Sequence, residues 1–170
     1  MPLEVLSKAV DVAITSLPIE HEHLEVVPFM RGRMVCALSR EHSLAARERI
    51  ALADLTGEPM ILFRRDIPFG TMIARACQQA DVELTSVVDV TRADQALALV
   101  RGGLGLAIVD EFATGGVDCV VRPLVEDLEM VSTFVYSKFS PPSRNAMLLM
   151  QAVYRRAEKL GRQIGSMPGA

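Results

Sequence analysis

A chain of 170 residues has room for one domain of ordinary size or for two small lobes sharing the chain. Half of its residues are apolar and 23% are charged, the balance of a globular protein, and no apolar run approaches the roughly 18 residues a membrane-spanning helix needs. The net charge of −3 is spread without a basic stripe, which argues against a face of its own that reads duplex DNA.

The opening Met1-Pro2-Leu3-Glu4 lacks the basic and apolar regions of a signal peptide, so the chain is expected to be cytoplasmic. Residues 2–10 read as the end of a helix that feeds a short strand at 11–15. A loop with Pro18, His21 and His23 follows. Two strand-like runs come next, 24–30 and 34–38, separated by Arg31-Gly32-Arg33. That spacing predicts a tight connection with Gly32 at positive φ. Residues 40–51 are polar and read as irregular, and 52–55 as one helical turn.

Residues 59–63 form a compact apolar strand ending at Arg64-Arg65-Asp66. Between 69 and 80 the apolar residues Phe69, Met72, Ile73, Ala76, Cys77 and Ala80 recur at offsets of three and four, the pattern of an amphipathic helix. A strand is predicted at 87–90, and a helix at 92–101 with Thr91 as its cap and Gly102-Gly103 as its stop. The apolar run 104–109 reads as a buried strand. Strands at 119–122 and 130–136 follow. Pro141-Pro142-Ser143 then opens a long helix ending near Leu160. Repeated alternation of helices with short strands is the α/β signature.

A search for catalytic or metal-binding constellations ends without a candidate. Cys36, Cys77 and Cys119 lie in apolar sequence without CxxC spacing and read as buried reduced thiols. His21 and His23 have a spacing that suits metal ligation on a strand, but their segment reads as a loop and no third ligand lies nearby. Gly102-Gly103-Leu104-Gly105 follows a helix and precedes a strand, the reverse of a dinucleotide-binding turn. Ser39, Ser86 and Ser132 have no evident His partner. Arg155, Arg156, Lys159 and Arg162 cluster at the end of a helix, where they complement its dipole. No catalytic residue, metal or cofactor is therefore expected.

Polar groups do gather at predicted strand ends and helix starts, where ligands of α/β folds bind. The candidate ligand-binding set is Thr15, Ser16, Phe63, Arg64, Thr71, Thr91, Arg92 and Asp110. Each alone is also a common cap or surface charge. Together their hydroxyls, guanidiniums and helix N-termini suit a small anionic or zwitterionic ligand, such as a carboxylate or an amino acid.

Several segments resemble LysR-type transcriptional regulators. Asp11-Val12-Ala13-Ile14 with Leu17-Pro18 is similar to their LDVAI…LP strand. Leu38 to Ala45 (LSREHSLA) is similar to the HPLA segment, with Ser43 in place of the usual proline. Leu52-Ala53-Asp54-Leu55 with Glu58-Pro59, the block Ala98-Leu99-Val100 through Ala107-Ile108-Val109, and Arg122-Pro123-Leu124 follow in the family's order. The resemblance spans roughly residues 10–160.

The resemblance implies a type-2 periplasmic-binding-protein-like α/β fold, two lobes joined by two crossover strands, with effector bound between them. Lobe I would hold 1–37 plus 125–165 and be incomplete, lobe II would hold 40–120, and 166–170 would be a tail. The family's N-terminal helix-turn-helix and the opening β-α-β of its sensing domain have no counterpart here, which suggests truncation at the N-terminus. The implied function is effector sensing by a regulator that acts as a homodimer or homotetramer and touches DNA only through that missing element. Gly105 to Asp110 also resembles members that sense amino acids or opines. The alternatives that share the fold are a solute-binding module of transport and an enzyme with a catalytic pair in its cleft.

Overall fold

The computed structural model describes residues 2–16 and 19–166. Leu17-Pro18 of the family-like motif, and all of the expected tail beyond residue 166, lie outside the described residues. By internal contacts the chain divides into two compact units: Met1–Gly32 with Met130–Ala170, and Arg33–Glu129. The chain passes between them twice, inside one strand at 32–33 and at the start of another at 129–130. Residues 33–37 and 125–129, read above with the first lobe, thus group with the second unit.

In the first unit, β1 (Ala13–Thr15), β7 (Glu129–Ser137) and the first part of β2 (Leu24–Leu38) lie in the order β1-β7-β2. β1 and β7 are antiparallel, with Ile14 opposite Phe134. Side chains alternate across a strand, so adjacent residues of β7 serve different cores. Val135 packs with Val5 of α1 (Pro2–Leu6) and with Leu24. Phe134 packs with Phe29, Met150 and Ala157. The Phe29 and Phe134 rings stack at 4.0 Å. Ala146, Met150, Val153 and Ala157 give α4 (Arg144–Lys159) one apolar stripe, and the Ser143 hydroxyl caps it by accepting from the Ala146 N–H at 3.2 Å.

The second unit has a five-stranded sheet in the order β6-β2-β5-β3-β4. The second part of β2 is antiparallel to β5 (Leu106–Asp110) and to β6 (Val120–Pro123). β3 (Met60–Phe63) runs parallel to β5 and to β4 (Ser86–Val90). Residues 34–38 of β2 and 106–109 of β5 are buried without a break, as expected of strands covered on both faces. α2 (Pro68–Gln79) buries Gly70, Ile73 and Cys77, while α3 (Ala93–Arg101) buries Ala96, Leu97 and Val100. Gly105 is required here: a Cβ would stand 2.1 Å from the Pro59 carbonyl oxygen.

Three local expectations change. Residues 24–38 form one continuous strand rather than two, and Gly32 is an extended, buried strand residue flanked by the exposed Arg31 and Arg33. Out-in-out alternation of Arg-Gly-Arg is compatible with a strand, and pairing of both halves with neighbours overrides the turn preference. Arg92, not Thr91, takes the N-cap position of α3, without a side-chain cap; the Gln95 side chain instead accepts from the Thr91 N–H at 3.2 Å. Within the polar stretch 40–51, Ser43–Ala46 forms a short 3-10 turn, with His42 Nδ1 accepting from the Leu44 N–H at 3.2 Å.

Candidate ligand site

In the second unit β5, β3 and β4 are parallel neighbours, so their carboxyl ends lie at one end of the sheet. Three groups of the candidate residues mark these ends: Phe63 closing β3 with Arg64 after it, Thr91 and Arg92 after β4, and Asp110 closing β5. Phe63 is in register with Val90, and the Arg64 N–H donates to the Val90 carbonyl at 2.9 Å. This bond joins the first two loops side by side.

The turn from β3 into α2 depends on residues 70 and 71. A Cβ at Gly70 would lie 1.9 Å from the Arg64 carbonyl oxygen, so only glycine fits while the loop is in place. The Thr71 hydroxyl reaches the carbonyl oxygens of Arg65 (2.9 Å) and Ile67 (3.2 Å), which folds the loop onto the first helical turn. Pro68 begins α2, where its missing N–H costs nothing.

Charges at this end are locally balanced. Arg64 makes a two-pronged ion pair with Asp66, at 2.9 and 2.5 Å, and Arg92 does so with Asp94, at 2.9 Å on both prongs. The hydrogen-bonded guanidinium holds each aspartate carboxyl below its ordinary range, and each arginine is pushed up in return. All four side chains are solvent-exposed, so the pairs are weak and can open. An incoming carboxylate can share either guanidinium, while the aspartates stand ready for an ammonium group. Asp110 is already used: Oδ1 accepts from the Ala113 N–H at 2.9 Å and caps the turn Glu111–Thr114.

Two cavities flank the β3–α2 loop. One of about 650 Å³ is lined by Phe63, Arg65, Thr71, Arg75, Gln78 and Glu83 among others. The second, about 410 Å³, includes Phe63, Arg64, Asp66, Ser86 and Asp89. Thr91, Arg92 and Asp110 line neither. Arg75, Gln78 and Glu83 were not singled out from sequence, because only their position beside the folded loop gives them a shared space.

Thr15 and Ser16 belong to the first unit. The Thr15 carbonyl accepts from the Thr133 hydroxyl at 3.3 Å, and the Ser16 and Ser132 hydroxyls are 2.8 Å apart. Ser132 is buried, so its hydroxyl is part of the structure and Ser16 is its hydrogen-bond partner. Neither partner was visible in sequence, since each lies more than a hundred residues away.

Burial pushes the Cys36 thiol up to about 12, with Cys119 adding to the shift, and burial also raises Cys77 and Cys119; thiols so held stay protonated and unreactive. No group of three or more His, Cys, Asp or Glu among the described residues could hold a metal ion. His21 and His23 contact each other edge to face at 5.5 Å, and the His23 N–H donates to His21 Nδ1.

The model of the LysR substrate binding domain family matches residues 2–158. The chain belongs to that family. Its relatives include the HTH-type transcriptional regulator AlsR of Bacillus subtilis (strain 168), 29% identical over 112 residues, which are 65% of this chain and 37% of AlsR. The chain spans about two fifths of the length of the curated relatives it matches. In fold it is similar to the regulatory domain of CcmR from Synechocystis PCC6803, solved in complex with 2-PG, with a TM-score of 0.79 at 14% identity, covering 94% of this chain and 79% of that one. The BenM effector binding domain, solved with its effector benzoate, gives 0.79 at 18% identity, covering 94% and 75%. The expected fold, two α/β lobes of the type-2 periplasmic-binding-protein kind joined by two crossover strands, is therefore present, and the sensing role read from the LysR motifs is that of the family. LysR proteins are transcription regulators, and no helix among the described residues is long and apolar enough to cross a membrane.

Proposed function

We propose that this LysR domain senses a small carboxylate or amino-acid-like effector at the carboxyl ends of β3 and β4. Binding involves no bond chemistry. Phe63 supplies an apolar wall, Arg64 and Arg92 supply donors, and Thr71 and Thr91 hold the two loops in place through their own hydrogen bonds. The observation that carries the reading is the junction of the two strand-end loops by the Arg64–Val90 hydrogen bond, which sets two Arg–Asp pairs beside two helix starts. Asp110 orders the end of β5.

The complexes of CcmR with 2-PG and BenM with benzoate support an organic ligand of this size. The effector acts by differential affinity, favouring one conformation over another and so changing how a homodimeric or homotetrameric cytoplasmic regulator holds DNA through a helix-turn-helix. Thermal denaturation in the presence of amino acids and aromatic carboxylates tests this. A member of the panel should raise the midpoint, by about 2.7 kcal/mol of added stability at a hundred times its Kd, and Arg64→Ala should remove most of the gain. A full panel without effect on the wild type would contradict the ligand class.

A further inference from the structure

A third cavity lies in the first unit and has no part in the reading above. It measures about 520 Å³, and Tyr136, Pro141, Pro142 and Met147 provide its apolar walls, with Glu25 and Lys138 at its polar side. That is within the size range of small-molecule sites, which pair apolar walls with a few placed polar groups. Its frame is already ordered. The Lys138 N–H donates to the His23 carbonyl, the Phe139 N–H donates to the Ser137 hydroxyl, and Ser143 caps α4 just beyond the two prolines. Little conformational freedom remains for a ligand to remove.

The two charges are not equivalent. The Lys138 ammonium is turned onto the Glu22 carbonyl at 3.0 Å. Glu25 is half-buried and has no hydrogen-bond or ion-pair partner among the described residues. It stands close enough to Tyr136 that its charge joins burial in pushing the phenol up. A partly desolvated carboxylate beside an aromatic face, a thioether and two proline rings is the surroundings that an ammonium with a hydrocarbon body complements.

We propose that this cavity is a second ligand site, specific for a small organic ammonium whose charged head meets Glu25 and whose body lies against Tyr136, Pro141, Pro142 and Met147. It is independent of the site at the ends of β3 and β4. The competing view is that Glu25 only answers the positive N-terminal end of α4.

Benzylamine, protonated at neutral pH, is a suitable probe, and benzyl alcohol is its uncharged match in shape. In backbone amide NMR titrations of the full chain, benzylamine should shift resonances of residues 25 and 136–147. Benzyl alcohol should bind at least about tenfold more weakly, and Glu25→Gln should weaken benzylamine by a similar factor. Because Glu25→Gln could disturb the fold, Met147→Ala supplies a second test: it should weaken both probes and preserve the preference for the amine. The proposal is overturned if benzyl alcohol binds as well as benzylamine. It is equally overturned if a folded Glu25→Gln chain binds benzylamine unchanged, if the shifts map only to residues 63–71, or if millimolar benzylamine produces none.

Discussion

The two units use their polar residues in opposite ways. In the first, polar groups at the end of β1 meet partners on β7: the Ser16 hydroxyl with Ser132, and the Thr15 carbonyl with Thr133. In the second, β3 and most of β5 are apolar and charged groups collect where β3 and β4 stop, with Arg64 and Arg92 each held by an exposed aspartate. Burial explains the contrast. A buried polar group needs a permanent partner, so it is consumed by the fold, whereas an exposed ion pair is weak enough to be exchanged for a ligand. A sensing residue is therefore expected among the second kind.

Mutations that remove packing should affect stability in either unit, and the largest effects belong there. Phe134→Ala should cost about 3–5 kcal/mol by denaturant unfolding, since it leaves a cavity beside Phe29 and Met150. Leu149, half exposed on α4, should tolerate alanine with little change. Equal losses at the two positions would show that the first unit's core is misassigned.

Gly105→Ala in the second unit should cost about 1–3 kcal/mol or more, because its Cβ would meet the Pro59 carbonyl at 2.1 Å. Gly57→Ala, with open space but a φ of 82°, should cost less. The reverse order would mean that the β3–β5 contact relaxes freely.

Alkaline pH reaches a buried thiol of the second unit next. The Cys36 thiol stays protonated in the fold up to about 12, against an ordinary value of 9.0 in the open chain. A raised folded pKa favours the native state below the unfolded value, and that stability is lost as pH rises from about 9 towards 12. The slope should be on the order of 1 kcal/mol per pH unit, and Cys36→Val should flatten it. An unchanged slope would place the alkaline sensitivity elsewhere.

The smallest stability effect is the most informative about polar use. Ser16→Ala should cost about 1 kcal/mol, because it leaves the buried Ser132 hydroxyl without its partner. Arg64→Ala should leave stability nearly unchanged and alter only what binds. A strongly destabilised Arg64→Ala chain would contradict the distinction between consumed and available groups.

Much of this architecture can be read from residue order. The three-and-four spacing of α2, the glycine stop after α3, the apolar run of β5 and the serine before α4 are local signals, and each element forms within two residues of its expected bounds. Arg31-Gly32-Arg33 has turn composition, and only the pairing on both sides of it, with β7 before and with β5 and β6 after, shows that β2 is one strand. The Thr91 cap failed for a similar reason, since Gln95 competes for the same backbone group. At the site, the β3–α2 loop was legible from its charges and from Gly70-Thr71. The Arg–Asp pairing, the Ser16–Ser132 contact and the cavity beside Glu25 were not, because pairing needs side-chain directions and the last two join residues more than a hundred positions apart.

The most direct test of the central claim is to map an effector by backbone amide NMR, using whichever amino acid or aromatic carboxylate stabilises the chain most. The account predicts shifts concentrated at residues 63–71 and 91–94, and their loss in Arg64→Ala. Shifts that avoid both loops, or that persist unchanged in that variant, would contradict it.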